Sequence, residues 1–134
     1  MRDMWDIHCH ILPGVDDGAK DMEMAKALLR KEMQDGVQNI ILTPHYRRQM
    51  FEPEMSLIYS TYEQLRQETE DLELNLYIGC EYHANMDMAE NLNAEKRPTL
   101  AGSRYVLCEF SDGDLAAYIT ERTYQLLANG YIPV

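Results

Sequence analysis

Residues 39–43 read NIILT, an almost uninterrupted apolar run between polar residues. A strand that is apolar on both faces is typical of a parallel sheet covered by helices, because a half-exposed strand would alternate apolar and polar residues. Neighbouring parallel strands need long crossover connections, and these connections are usually helices. The run therefore predicts a strand inside a parallel α/β sheet.

The segments on either side of this run predict helices. Asp21 is a suitable N-cap residue, and apolar residues of 22–33 recur at helical spacing until Gly36 ends the helix. Pro53 opens a second helix, whose inward residues step by three and four as far as Leu72. Both segments predict amphipathic helices that bury one face.

The same order of strand and helix repeats along the chain. Four further strands are predicted, namely a short buried strand that begins at Trp5 and others at 74–81, 105–110 and from Tyr131 onwards. A last helix is predicted at residues 115–129. This alternation predicts a parallel sheet with right-handed crossovers, whose functional loops lie at the carboxyl ends of the strands.

The first strand carries two histidines at its end. Side chains two apart on a strand point the same way, so His8 and His10 face one side and Cys9 faces the other. A proline-glycine turn stops the strand, and the loop brings Asp16 and Asp17 close to the histidines. Imidazoles and carboxylates in one such unit suit a divalent first-row metal. The alternative is a pair of histidines satisfied by ordinary hydrogen bonds.

The next three strands also end in candidate metal ligands. His45 follows the second strand, Glu81 closes the third and Glu109 closes the fourth. Because the carboxyl ends of parallel strands meet at one edge, these side chains are expected beside the histidines of the first strand. The combined set favours a metal site over isolated hydrogen-bonded histidines.

The three cysteines argue against two other kinds of chemistry. An odd number of scattered cysteines forms neither a disulfide framework nor a C-x-x-C zinc motif. A thiolate phosphatase needs a cysteine followed by five residues and an arginine, but the sixth residue after Cys9, Cys80 and Cys108 is Val, Met and Asp, respectively. We therefore interpret all three as buried apolar side chains that point away from the ligands.

The charge of the chain limits its partners. With 12 Lys and Arg residues against 23 Asp and Glu residues, the formal net charge is −11. Nucleic-acid binding depends on clustered cations, so this balance argues against it. Neither an apolar run long enough to span a membrane nor a signal-peptide core is present. We expect a cytoplasmic protein that neither binds nucleic acid nor inserts into a membrane.

The motif HCHILPGVDDGAK at 8–20, followed by TPH at 43–45, GCE at 79–81 and EFS at 109–111, resembles part of the PHP superfamily (polymerase and histidinol phosphatase). Within it, the motifs resemble the bacterial tyrosine phosphatases of capsule and exopolysaccharide gene clusters, the CpsB/CapC/YwqE type. The resemblance covers the chain but only the first half of the family's domain, a distorted barrel of about seven strands. It implies a partial PHP-type α/β barrel with about five parallel strands, in which 1–134 form one domain truncated before the second half.

The resemblance also implies a site for up to three divalent ions. The matching ligand positions are six side chains: His8, His10, Asp17, His45, Glu81 and Glu109. The first two histidines would share one ion with Glu81, which bridges to a second ion bound by Glu109, while Asp17 and His45 bind the third. Ligands and phosphate-binding arginines from the family's later half have no counterpart in the sequence. Manganese is favoured, with iron and zinc as alternatives.

Residues next to the implied ligands have predicted roles of their own. Arg47 and Arg48 follow His45 and are candidates to bind the substrate phosphate, although an exposed surface pair is the alternative. Asp16 is expected to support the site or form the turn rather than bind metal. His83 is expected at the surface, because the third strand is predicted to end before it.

The activity implied by the resemblance is hydrolysis of phosphotyrosine in proteins by metal-activated water, without a covalent enzyme intermediate. The implied substrate is an autophosphorylating bacterial tyrosine kinase that controls polysaccharide export. Two alternatives are a PHP phosphoesterase for a small metabolite such as histidinol phosphate, and an inactive fragment that binds metal or a partner. An open sheet edge and an uncovered core face would also favour homo-oligomers.

Overall fold

The computed structural model describes residues 3–134 and has the expected alternation of strands and helices. The strands are Trp5–Cys9 (β1), Asn39–Leu42 (β2), His45–Tyr46 (β3), Asn75–Ile78 (β4), Glu81–His83 (β5), Tyr105–Glu109 (β6) and Ile132–Pro133 (β7). The helices are Met22–Gln34 (α1), Met55–Glu68 (α2), Met88–Asn93 (α3) and Ala116–Ala128 (α4), with a short 3-10 helix at Leu100–Gly102. Within this part of the chain, no helix is both long and apolar enough to cross a membrane.

The seven strands occupy five positions side by side. One sheet has the order β1-β2-β4 and the other has the order β3-β5-β6-β7, and every strand pair is parallel. Only Thr43 and Pro44 separate β2 from β3, and only Gly79 and Cys80 separate β4 from β5. The second and third predicted strands are therefore each one strand with a break. Over residues 3–134 the strands form an open parallel arrangement, which confirms the predicted fold class.

Both breaks have a local cause. Pro44 has no backbone N–H and cannot donate to the ladder, so β2 ends before it. Gly79 allows a close approach between the strands, because a Cβ atom there would lie 2.9 Å from Ile41 Cγ2. The ladder is carried across the breaks by the N–H of Gly79, which donates to the carbonyl of Leu42 at 2.8 Å.

Helix α1 begins and ends where the sequence predicts. The carboxylate of Asp21 accepts a hydrogen bond from the N–H of Met24 at 2.8 Å, which is the N-cap interaction. Gly36 follows the helix with φ +93°, a left-handed conformation that suits glycine after a helix. Ala25 and Leu29 are fully buried, so one face of α1 covers the sheet.

Two apolar clusters form the core. The first lies between the β1-β2-β4 sheet and helices α1 and α2, and its fully buried members include Leu29, Leu42 and Leu65. The second joins β5 and β6 to α3 and α4, with Tyr82 and Leu126 at its centre. Each fully buried leucine side chain contributes about 1.5–3 kcal/mol relative to an exposed one. These clusters hold the strands whose ends carry the candidate ligands.

The first strand differs from the prediction of a buried strand. Trp5 and Ile7 are each 44% exposed, and the Trp5 ring stacks on that of Tyr77 with 5.1 Å between centroids. Together with Leu100 and Tyr105, these residues line an apolar groove of about 500 Å³ on the sheet face opposite helices α1 and α2. The prediction is wrong here because an apolar sequence shows that a strand could be buried, but not that another element of the chain covers it.

Candidate metal centre

The six predicted ligands lie together at the carboxyl ends of the strands. They form three overlapping triads, in each of which the ligand atoms lie within 4.8 Å of one another: His8, His10 and Glu81; His10, Asp17 and His45; His45, Glu81 and Glu109. The parallel register explains part of this convergence, because His45 of β3 pairs with Glu81 of β5. Residues in register on neighbouring strands place their side chains on the same face.

The carboxylate of Glu81 is at the centre of the cluster. Its Oε2 atom lies 3.1 Å from Nε2 of His8, 2.9 Å from Nε2 of His10 and 3.2 Å from Nδ1 of His45. Among the described residues, this buried oxygen nevertheless has no hydrogen-bond partner in acceptable geometry. Three imidazole nitrogens thus surround this carboxylate oxygen without giving it a hydrogen bond. A divalent cation bound by these atoms would remove the cost of the unpaired oxygen, so the residues fit a metal.

Asp16 fixes the orientation of the second histidine. Its Oδ2 atom lies 3.0 Å from Nδ1 of His10 and accepts the backbone N–H of His45 at 3.0 Å, while Oδ1 accepts the N–H of Gly18 at 2.9 Å. When His10 is neutral, a proton on Nδ1 leaves the Nε2 lone pair free to face Glu81. This geometry suits the supporting role predicted for Asp16.

The charges of Asp16 and His10 stabilise each other. Burial alone would raise the pKa of Asp16, but the hydrogen bonds from His10, His45 and Gly18 outweigh it and hold the pKa below its usual value. The hydrogen bond to Asp16 raises the pKa of His10 above its usual value, against the opposing effect of burial. Asp16 is therefore held in place by hydrogen bonds to His10 and to two backbone N–H groups.

The loop that carries Asp16 and Asp17 is folded tightly onto the end of β1. The N–H of Ala19 donates to the carbonyl of His10 at 2.9 Å, and Gly18 lies directly against the main chain of His10. Asp17 is mostly exposed, and its Oδ1 atom lies 3.4 Å from Nε2 of His45. The loop therefore places one buried and one accessible carboxylate beside the histidines.

Phe51 packs against the candidate ligand His45, a contact that the sequence did not predict. The rings of His10 and His45 stack with 4.3 Å between centroids, and Phe51 stacks on the other face of His45 at 5.0 Å. Arg47 and Phe51 exchange two backbone hydrogen bonds of 2.8 Å, which close a tight turn. Stacking on both faces holds the His45 ring in one plane.

Arg48 lies at the surface, which agrees with the alternative that the two arginines form an exposed surface pair. Its Nη2 atom donates to Oδ2 of Asp87 at 2.8 Å, and the two side chains are 59% and 42% exposed, respectively. The side chain of Arg47 is only partly exposed. Phosphate binding by these two arginines stays a prediction.

His83 was expected at the surface, and this expectation is wrong. Its side chain is only 16% exposed, because β5 continues through His83 and pairs it with Glu109 of β6. Nδ1 of His83 lies 2.9 Å from Oε1 of Glu109, and Nε2 lies 3.3 Å from Oγ of Ser111. The two-residue spacing between Glu81 and His83 was the signal that could have identified it, as it did for the first two histidines.

Cys80 is buried and Cys9 and Cys108 are partly buried, which agrees with their predicted role as apolar packing residues. Cys9 packs against the first core cluster, and Cys80 and Cys108 belong to or pack against the second. Burial raises the pKa of each thiol to about 12. The cysteines therefore pack into the apolar clusters and not among the candidate metal ligands.

Alkylation should distinguish these thiols from a catalytic cysteine. Only the thiolate reacts, so at pH 8 iodoacetamide should modify the native chain about 1,000-fold more slowly than the urea-unfolded chain. The rate in the native chain should rise about tenfold per pH unit up to pH 11. Mass spectrometry of the modified residues measures both rates. Rapid modification of any single cysteine in the folded chain would contradict this assignment.

The chain is similar in sequence to several bacterial tyrosine-protein phosphatases. The chain is 34% identical over 137 residues to the tyrosine-protein phosphatase YwqE of Bacillus subtilis and 38% identical over 133 residues to the tyrosine-protein phosphatase CpsB of Streptococcus pneumoniae. These matches cover 98% of this chain but 52% and 55% of the two relatives, so the chain spans about half their length. The putative tyrosine-protein phosphatase CapC of Staphylococcus aureus is 32% identical over a similar span.

The fold is also shared with a solved structure. Among crystal structures of YwqE from Bacillus subtilis and CpsB from Streptococcus pneumoniae, described as metal-dependent tyrosine phosphatases, one chain matches with a TM-score of 0.88 at 32% identity. The match covers 97% of this chain and 53% of the other. The model of the family described as "Capsular polysaccharide synthesis, CpsB/CapC" matches residues 4–134. The chain belongs to the CpsB/CapC family of capsular polysaccharide synthesis.

Proposed function

We propose that this site takes part in metal-dependent hydrolysis of phosphotyrosine in proteins. The observation that supports it most directly is the buried Oε2 atom of Glu81, which three imidazole nitrogens surround without satisfying it. The relatives named as tyrosine-protein phosphatases, and the solved relatives described as metal-dependent, support the same chemistry. The cysteines lack the environment of a thiolate nucleophile, which removes the main competing mechanism.

The ligands would be the six clustered side chains, which are His8, His10, Asp17, His45, Glu81 and Glu109. Divalent ions held there would supply Lewis acidity, acidify a water molecule and neutralise phosphoryl oxygens. Asp16 holds a proton on Nδ1 of His10, so the opposite nitrogen of that ring can bind. Phe51 keeps the His45 ring fixed, and the apolar clusters hold the strand ends at a constant separation. We propose manganese as the metal, because imidazole and carboxylate ligands suit it. The same ligands also accept iron and zinc.

The substrate phosphate would meet the site beside the β3 turn. We propose Arg47 and Arg48 as its contacts, because guanidinium groups bind phosphate in a bidentate manner. Arg48 is paired with Asp87, so a bound phosphate would have to replace that carboxylate. The exposed position of Arg48 suits a phosphate carried on a protein rather than a small molecule enclosed in a cavity.

We further propose that the substrate is an autophosphorylating tyrosine kinase of the polysaccharide export machinery, and that the chain acts in the cytoplasm. Membership of a capsular polysaccharide synthesis family supports the first proposal. The three free cysteines suit a reducing compartment, which supports the second. The exposed apolar groove supports self-association of the chain.

The test measures metal content, mass and turnover on the same preparation. The chain is purified without chelator, its bound metal per chain and its mass in solution are determined, and hydrolysis of a phosphotyrosyl peptide is measured with Mn²⁺. We expect two or three ions per chain and hydrolysis that a chelator abolishes and Mn²⁺ restores. Histidinol phosphate and a phosphoseryl peptide serve as comparison substrates.

Each contrary result has a definite meaning. Faster turnover of histidinol phosphate than of the phosphotyrosyl peptide would replace the proposal with a small-metabolite phosphoesterase. Tight metal binding without turnover of any substrate would leave a metal-binding chain and refute catalysis by these 134 residues. Hydrolysis that survives complete removal of metal would refute the metal-dependent mechanism.

A further inference from the structure

His83 differs from the other three histidines in what it contacts. His8, His10 and His45 each place a nitrogen within 3.2 Å of the Glu81 carboxylate. His83 instead places Nδ1 2.9 Å from Oε1 of Glu109 and is only 16% exposed. It therefore lies behind a candidate ligand rather than among the ligands.

The hydrogen-bond directions around His83 follow from its two partners. The Glu109 carboxylate can only accept, so Nδ1 of His83 carries the proton and donates it at 2.9 Å. The Nε2 atom of the neutral ring is then an acceptor, and the hydroxyl of Ser111 at 3.3 Å can donate to it. The serine and the carboxylate together set one tautomer and one ring orientation.

The backbone keeps this arrangement in place. His83 of β5 and Glu109 of β6 are register partners in a parallel ladder, and the N–H of Ala84 donates to the carbonyl of Glu109 at 2.9 Å. With Oε1 of Glu109 engaged by His83, the carboxylate cannot rotate freely about its last bond. Its remaining lone pairs can then face the triad with His45 and Glu81.

We propose that His83 is a positioning residue for Glu109, which holds that carboxylate in its metal-binding orientation through the Nδ1–H hydrogen bond. The inference rests on the proposed metal function and deepens it. Side chains that hydrogen-bond to metal ligands typically change metal affinity by about 10–100-fold when removed. His83 thus orients Glu109 through a hydrogen bond, as Asp16 orients His10.

Two amide variants separate this role from simple packing. The amide nitrogen in His83→Asn takes the position of Nδ1 and can still donate to Glu109, whereas the amide of His83→Gln reaches toward Ser111 instead. Calorimetric titration with Mn²⁺ on the 134-residue chain should give wild-type affinity within about threefold for His83→Asn. For His83→Gln we expect affinity at the site that includes Glu109 to fall about 10–100-fold.

Melting of the metal-free chains provides the control. Both variants should melt within a few degrees of each other without metal, because each keeps a polar side chain of similar size. Equal affinity in the two variants would overturn the inference, whether both match the wild type or both are weakened alike. A wild-type chain that binds no Mn²⁺ would refute the proposed function, and the role of His83 with it.

Discussion

Replacement of Glu81 by glutamine should lower Mn²⁺ affinity by more than about 100-fold and abolish metal-dependent hydrolysis. Removing a residue that only hydrogen-bonds to a metal ligand already lowers metal affinity by about 10–100-fold, and Glu81 is itself a proposed ligand. Glu81 belongs to two of the three triads, and its Oε2 atom faces three imidazoles. Glutamine has nearly the same shape but removes the negative charge and half of the acceptor capacity. Calorimetric titration with Mn²⁺ measures the loss directly.

The metal-free Glu81→Gln variant should be at least as stable as the wild type, although its Mn²⁺ affinity falls. Without metal, the wild-type chain buries a carboxylate oxygen that lacks a hydrogen-bond partner, and a neutral amide is less costly to bury. The metal-free variant should therefore melt at least as high as the wild type, but Mn²⁺ should no longer raise its melting temperature. Glu70→Gln is the matched control, because Glu70 is exposed and distant in the fold. Wild-type Mn²⁺ affinity in Glu81→Gln would refute the metal centre.

Replacement of Gly18 by alanine should lower the free energy of unfolding by about 3 kcal/mol or more, the upper range for overpacking. A Cβ atom at this position would lie 2.1 Å from the carbonyl oxygen of His10 and 2.5 Å from its Cβ atom. The neighbouring hydrogen bond from Ala19 to His10 holds the loop against β1, so neither strand nor loop can move away cheaply. Urea unfolding measures the change in free energy.

The same substitution should also weaken metal binding, because Gly18 follows both aspartates of the loop. Any shift that relieves the clash moves Asp16 away from His10 and Asp17 away from His45. Gly113→Ala is the matched control, since a Cβ atom there meets nothing within 4 Å. We expect it to change the free energy of unfolding by less than about 0.5 kcal/mol. Equal stability of Gly18→Ala and Gly113→Ala would show that the loop is not packed as described.

Much of the fold could be predicted because the relevant signals are local. The apolar run at Ile40 and Ile41, the N-cap at Asp21 and the glycine at position 36 each report on a few neighbouring residues. The parallel arrangement then follows from strand-and-helix alternation, and it brings the strand ends together. For this reason the positions of the six candidate ligands could be anticipated, while their metal-binding role remains a proposal.

The remainder depends on contacts between segments that are distant in sequence. His83 turns inward because β5 continues one pair further along β6. Its two-residue spacing from Glu81 indicates which face it would share on a strand, but not that the strand extends that far. Phe51 reaches His45 only because a tight turn folds it back. Asp16 could be recognised as a neighbour of Asp17, but its three hydrogen bonds require the folded loop. Such features need the three-dimensional structure.

Trp5, which stacks on Tyr77, allows the apolar groove to be monitored by tryptophan fluorescence. Trp5 is the single tryptophan of the chain, and nearly half of its surface faces solvent within the groove. Indole fluorescence shifts to shorter wavelength when water around the ring is displaced. The emission spectrum of the unlabelled protein therefore shows whether a polypeptide, including a second copy of the chain, covers this face. The measurement requires no modification of the candidate metal ligands at the strand ends.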